Sequence, residues 1–494
     1  MRYIELPLLI ILFLLLWFPS KSIVKDTLLS VIPVVGLYIL YDIFYHFLAR
    51  SPRVSDIYNA TTLSDFSLTM SFGSVMIFLF IISPIIYLIY QFKRDNKKQT
   101  FYAIFIAKFF ILIGLFYYLG TNHFNNYISK KFDYYDWSQS KTIKKNGRFT
   151  SFIYYGIVSK HSKEKLAKYK EKDIDVNKLL FDDIKLTNRP NIYIIMLESF
   201  IDPRLIKDAT FDISPLAEGL KKYLPNGEFS YVTSPVYGGG TSQAEFEVLT
   251  GVRALAKVHS IEFNTLEGGQ ISGFTDALKK NGYNTHATIA TYSGYYNSKE
   301  AYKSIGFDEI VFLEESDWFQ KIDNDEKIFD GDVYSYNIKK LKSTIFKKPY
   351  LHYTLGMYGH FPYDRNLEKR ADVISTSHKD KRVGRIANQF YYRTKALALY
   401  IDTILEFDPK SIIYVTSDHL PPLLTSEVKY TKPQTENIAF LVVNKKAVDV
   451  SGQNYYQIPR VIWRLISGNN FELDAIDIKI EEDIYFKVLS ESLE

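Results

Sequence analysis

Apolar residues are unevenly distributed along this 494-residue chain. Four long apolar runs crowd its first quarter: Tyr3–Phe18, Thr27–Leu48, Ser71–Tyr90 and Phe101–Leu119. A helix crossing the roughly 30 Å hydrocarbon layer takes about 20 residues, and shorter spans are accommodated by bilayer thinning or snorkelling. The runs therefore predict an N-terminal α-helical transmembrane bundle of four spans over residues 1–121. The first run reads as a retained span, because Pro19-Ser20-Lys21 makes a poor signal-peptide cleavage site and another span follows at once. Residues 122–190 are polar, aromatic and lysine-rich, with helical stretches such as Ser162–Lys172, and read as a juxtamembrane connector. From residue 191 the pattern changes to short β-branched runs alternating with amphipathic segments. The expected strands are Ile192–Leu197, Thr285–Ala290, Tyr350–Leu355, Ser411–Thr416 and Ile438–Val443. Helices are expected at Gly273–Lys280, Ser298–Ile305, Tyr334–Ile345 and Ile386–Phe407. Such alternation predicts an α/β domain with a mainly parallel sheet over residues 191–494.

Charge orients this arrangement. The link Lys93-Arg94-Asp95-Asn96-Lys97-Lys98 is the most basic loop between spans, which places it in the cytoplasm, the amino terminus outside and everything after Leu119 outside. Asp42 and Lys108 fall within spans, where an Asp42–Lys108 pair or snorkelling explains them as well as a lipid-headgroup path does. A net charge of +5 is small for this length and gives no reason to expect nucleic-acid binding. The chain has no cysteine, so an exported domain must draw its stability from a large core rather than from disulfides.

The candidate chemistry lies where buried runs stop. Ile192–Leu197 ends in Glu198-Ser199, and Ile412–Thr416 ends in Ser417-Asp418-His419. Between them Gly238-Gly239-Gly240 opens onto Thr241 and the helical-looking Gln243–Leu249. Ligands of open α/β sheets bind beyond the carboxyl ends of the strands. Two carboxylates, an imidazole and a hydroxyl there suit one divalent ion, with manganese, magnesium or zinc matching an oxygen and nitrogen ligand set. A threonine hydroxyl becomes a nucleophile only when a metal or base takes its proton, and the glycines let an anionic ligand approach the helix amino terminus. The bland readings are a tight turn with Thr241 as a helix cap, and a turn capped by Asp418-His419.

N-I-Y-I-I-M-L-E-S-F at Asn191–Phe200, G-G-G-T-S-Q-A-E-F-E-V-L-T-G at Gly238–Gly251, H-F-P at His360–Pro362 and S-D-H at Ser417–His419 occur in this order. Together they resemble the lipoteichoic acid synthase and phosphoglycerol transferase branch of the alkaline phosphatase/sulfatase superfamily. The resemblance implies that Glu198, Thr241, Asp418 and His419 are metal ligands, with Thr241 also the nucleophile. It implies that His360 contacts the substrate phosphate or leaving group. Tyr296 falls where lipoteichoic acid synthases carry a tryptophan at the glycerol-phosphate pocket, Ser298 where they carry an arginine, and His286 is matched loosely to the same pocket. Four spans rather than five, and S-D-H-L, look more like the phosphoglycerol transferases that decorate periplasmic glucans.

The resulting expectation is a transferase in the bacterial cytoplasmic membrane with its catalytic domain extracytoplasmic. It would move glycerol phosphate from phosphatidylglycerol through a threonine intermediate to an extracytoplasmic glycan or teichoic-type polymer. Rivals on the same scaffold are a phosphoethanolamine transferase and a hydrolase. A non-catalytic lipid-headgroup sensor is the rival of another class. A sulfatase reaction is disfavoured because no cysteine is available for conversion to formylglycine.

Overall fold

The computed structural model describes residues 5–17, 22–48, 82, 86–87, 89–90, 98–119, 121, 130–135, 137–182, 185–258, 260–315, 327–343, 349–423, 428–469, 473 and 476–493. The chain divides into two compact units, Met1–Glu164 and Lys165–Glu494.

In the first unit the described residues form the helices Leu6–Leu16, Ile23–Leu48 and Lys98–Leu119, followed by Gln139–Asn146 and the start of Arg148–Lys170. Within Ile23–Leu48, Ile23–Ile43 is the one described stretch long and apolar enough to cross a membrane; Leu6–Leu16 and Ile106–Leu115 are shorter apolar helices. Most of the third run, Ser71–Tyr90, and nearly all of the basic loop Lys93–Lys98 lie outside the described residues. Asp42 differs from expectation. Arg148 grips it through two parallel bonds, Nε to Oδ1 and Nη2 to Oδ2, each 2.6 Å. Lys108 instead donates to the main-chain carbonyls of Leu15, at 3.2 Å, and Trp17. A guanidinium fork fits a carboxylate better than an ammonium does, which explains the choice of partner.

The second unit is built on an eight-stranded sheet. Its strands are β1 (Ile192–Leu197), β2 (Ser230–Thr233), β3 (Asn284–Ile289), β4 (Glu309–Phe312), β5 (Tyr350–Gly356), β6 (Ile412–Ser417), β7 (Glu436–Val443) and β8 (Lys446–Val448). The order is β2-β7-β6-β1-β5-β3-β4, with β8 on β7. Strands β6, β1, β5, β3 and β4 are parallel, whereas β2, β7 and β8 pair antiparallel. The sheet is therefore mixed, and the expected parallel strand at Ile438–Val443 runs the other way. Asn444 and Lys445, both at positive φ, join β7 to β8 in the tight left-handed turn that antiparallel hairpins favour.

Side chains alternate across β1. Ile192, Ile194 and Met196 enter one apolar cluster with Phe246, Leu278 and Trp463, while Tyr193, Ile195 and Leu197 enter another with Phe390, Leu397 and Ile401. Burial on both faces explains why β1 and the start of β6 read as continuous apolar runs in the sequence, while β5 buries His352 and Thr354 among its apolar residues. The register then aligns the strand ends: Leu197 stands opposite Gly356 on one side and Ser417 on the other. Whatever follows these three residues meets at one edge of the sheet.

Candidate metal centre and nucleophile

Glu198 and Asp418 are the residues immediately past the ends of β1 and β6, and both are buried with Thr241 and His419. Asp418 Oδ1 is committed to the main chain, accepting from Ser199 N–H at 2.8 Å and His419 N–H at 2.7 Å. Oδ2 is left facing Thr241, whose Oγ1 donates to it at 2.8 Å and lies 3.4 Å from Glu198 Oε2. His419 Nδ1 lies 3.0 Å from the Leu420 carbonyl, which fixes the proton there and turns the Nε2 lone pair inward. Nε2 stands 3.2 Å from Asp418 Oδ2 and 3.6 Å from Glu198 Oε1.

Thr241 reaches this point because of its glycines. Gly238, Gly239 and Gly240 all have φ in the range that only glycine adopts readily, and Gly240 caps the helix Thr241–Thr250. Thr241 is thus the first helical residue and its hydroxyl serves Asp418 rather than capping the helix. Among the described residues no side chain caps this amino terminus; the Gln243 N–H turns back to the Gly240 carbonyl at 2.9 Å, and the positive end of the helix stands beside Thr241, where it favours an anion.

The electrostatics call for a cation. Ligand atoms of Glu198, Asp418 and His419 all lie within 4.8 Å of one another. Burial, and then repulsion from Glu198, push the Asp418 pKa upward. Burial opposes the charged form of His419, but Asp418 and Glu198 outweigh it and hold the imidazole pKa above its ordinary value. Two buried carboxylates, a hydroxyl and a correctly oriented imidazole nitrogen fit a divalent ion that accepts mixed oxygen and nitrogen donors.

The family model for sulfatases matches residues 190–465, more than half of the chain. The chain belongs to the sulfatase family. A Rhizobium meliloti protein named for cyclic beta-1,2-glucan modification is 24% identical over 295 residues, covering 58% of this chain and 44% of its own length. Among solved structures, the phosphoglycerol transferase GacH of Streptococcus pyogenes, in complex with sn-glycerol-1-phosphate, is 16% identical with a TM-score of 0.48, covering 67% of this chain and 92% of that one. The lipoteichoic acid synthase LtaP of Listeria monocytogenes is 16% identical with a TM-score of 0.46, covering 62% and 78%. The chain spans less than half the length of the curated relatives it matches.

Around the cluster, this sulfatase-family domain brings some expected residues in and leaves others out. His360 is exposed on the turn after β5, with Nδ1 2.8 Å from the Phe361 carbonyl. Packing around its ring lowers its pKa, with Lys327, Asp418 and His419 also acting on its charge. Tyr296 hydrogen-bonds the Gly240 main chain and feels Glu198 and Asp418. Its left-handed backbone, shared with Asn297, is held by the Asn297 amide, which donates to the carbonyls of Phe263 at 3.0 Å and Leu266 at 2.8 Å.

His286 is a correction. It lies in β3, level with His352 and Tyr193, so five residues, or about 16 Å of strand, separate it from the Glu198 level. Its Nδ1 stands 2.9 Å from Glu309 Oε2 on the neighbouring strand. Ser298 is buried and its Oγ donates to the Tyr295 carbonyl at 2.6 Å, so its one hydroxyl proton is spent on the main chain. Arg253 and Lys257 face Glu481 and Glu482, at 3.9 and 2.8 Å. Sequence reasoning missed Lys327 and the buried pair Arg393–Asp330. An arginine on the apolar face of the helix Lys381–Phe407 was the only available signal for the latter.

Proposed function

We propose that the chain is a membrane-anchored, metal-dependent phosphoglycerol transferase acting through Thr241 on the outer face of a membrane. The observation that carries the reading is the 2.8 Å contact of Thr241 Oγ1 with Asp418 Oδ2 at an uncapped helix amino terminus. Glu198, Asp418, His419 and Thr241 hold the ion, most readily Mn²⁺. When bound, that ion lowers the pKa of the hydroxyl and screens phosphate charge. Thr241 Oγ1 gives up its proton and attacks the phosphorus of a phosphatidylglycerol headgroup. The P–O bond to diacylglycerol breaks, the departing oxygen takes up the proton that Thr241 released, and His360 contacts the leaving group. The first-turn N–H groups after Gly240 bind the phosphoryl oxygens, and the Tyr296 ring walls the glycerol. A hydroxyl of an extracytoplasmic glycan or teichoic-type polymer then displaces Thr241, and its proton passes to Thr241 Oγ1. A glycan acceptor is in keeping with the relative named for glucan modification.

The anchor is residues 1–121, read as four spans of which Ile23–Ile43 is the clearest, joined by a connector, 122–190, to the catalytic domain, 191–494. Tethering keeps the site beside a donor that does not leave the bilayer. Incubating the purified protein with headgroup-labelled phosphatidylglycerol should release diacylglycerol and pass label to the acceptor. A preference for phosphatidylethanolamine would overturn the donor assignment and leave the threonine–metal chemistry standing.

A further inference from the structure

Arg393 and Asp330 form an ion pair sealed in the interior, their side chains 3% and 0% exposed. Arg393 comes from the helix Lys381–Phe407 and Asp330 opens the helix Asp330–Ser343. Arg393 Nε donates to Asp330 Oδ2 at 2.6 Å while Nη1 donates to the main-chain carbonyl of Glu198 at 3.0 Å. The same guanidinium lies 5.0 Å from the ring centroid of Phe200. Gly356, which ends β5, and Gly359, in the turn that carries His360, permit this packing. A Cβ at Gly359 would stand 2.0 Å from the Glu198 carbonyl oxygen and 2.2 Å from Arg393 Nη1. One at Gly356 would stand 2.5 Å from Asp330 Oδ1.

Stability is a poor explanation for such a pair. Arg393 Nη2 and Asp330 Oδ1 have no protein hydrogen-bond partner among the described residues. Attraction between buried charges repays their desolvation only when the remaining polar atoms are satisfied, and apolar replacements are often as stable. What the pair supplies is placement. Glu198 N–H donates to the Gly356 carbonyl at 2.8 Å, and Arg393 holds the Glu198 carbonyl, so both main-chain groups of this residue are fixed. Ser199, the next residue, turns away in the left-handed region.

We infer that the Arg393–Asp330 pair is a positioning device for the site. It clamps the Glu198 main chain to the Gly356–His360 turn, so that the Glu198 carboxylate and the His360 imidazole keep their places around Thr241. The inference rests on the reading of Glu198 as a metal ligand. Lysine cannot replace Arg393 in this role, because one ammonium lacks the planar fork that reaches the carboxylate and the carbonyl together.

The test uses the full chain and two readouts that do not depend on turnover: melting without metal, and Mn²⁺ affinity by calorimetric titration. The double variant Arg393→Met/Asp330→Leu leaves no uncompensated charge and is expected to melt near wild type while binding Mn²⁺ about 10- to 100-fold more weakly. Arg393→Lys, which keeps the charge, is expected to weaken Mn²⁺ binding to a similar degree and carries the test if the double variant does not fold. Wild-type affinity in either folded variant overturns the inference. Glu198→Gln separates the two ideas: wild-type affinity there removes Glu198 from the ligand set. Loss of the ion in Glu198→Gln with full affinity in the pair's variants removes only the positioning role.

Discussion

A divalent ion should stabilise this protein by an amount that the site itself sets. Glu198, Asp418 and His419 converge in a buried space only when the sheet is folded, so the ion binds the native state and hardly the unfolded chain. At an ion concentration about 100-fold above Kd, linkage gives about 2.7 kcal/mol of added stability. The unit Lys165–Glu494 has roughly 330 residues, and an unfolding entropy of about 2.1 cal/mol/K per residue makes roughly 0.7 kcal/mol/K. The melting temperature of that unit should therefore rise by about 4 °C. Asp418→Asn keeps an oxygen acceptor for Ser199 and His419 but removes the charge, and its shift should fall below about 1 °C on the same scale. Differential scanning fluorimetry of metal-stripped protein against increasing Mn²⁺ makes the comparison, with Mg²⁺ and Zn²⁺ in parallel. A wild-type melt indifferent to all three ions, or an equal shift in Asp418→Asn, would refute the ligand assignment.

Thr241→Ala should still fold and bind the ion yet lose diacylglycerol release by several orders of magnitude, since a covalent step disappears; wild-type-like release would remove the nucleophile. Burial drives the Glu245 carboxyl, one helical turn from Thr241, from 4.5 up to about 8, against the hydroxyls of Tyr302 and Tyr353 that donate to it. The folded form then keeps a proton that the unfolded chain releases, so this contribution is complete below about pH 4.5 and is lost as pH rises through about 8. Glu245→Gln should flatten the melting profile across that window, and a profile unchanged in slope would contradict the shift. Tyr296→Ala should weaken turnover of phosphatidylglycerol while leaving Mn²⁺ affinity intact; a variant with wild-type KM would show that the ring does not contact the headgroup.

Strands buried on both faces were legible in the sequence almost to the residue. Ile192–Leu197 forms as expected, and the expected Tyr350–Leu355 and Ser411–Thr416 shift by only one residue at their ends. Strands β2, β4 and β8 were missed because each is three or four residues long, partly buried and at or near a sheet edge, too short to show a period. The antiparallel course of β7 was hidden because a buried run looks alike in either direction. The convergence of Glu198, Thr241, Asp418 and His419 was legible because they lie within two residues of a strand end or open a helix. His286 misled because a histidine in a strand carries no sign of how far along the strand the site lies. The Arg393–Asp330 pair depends on packing between distant segments, which no local pattern encodes.

The order of the strands also bears on when an ion could enter the candidate metal centre. Ser199 and Asp418 are 219 positions apart, yet they touch because β1 and β6 lie side by side. No growing or partly translocated chain that ends before Asp418 contains the site, and a chain threaded unfolded across a membrane has no pocket with which to carry metal. Loading must follow completion of the sheet. An ion bound at this cluster would accordingly be drawn from the compartment where the domain folds, and its identity in the cell would depend on the metals available there as well as on the preference of the ligands.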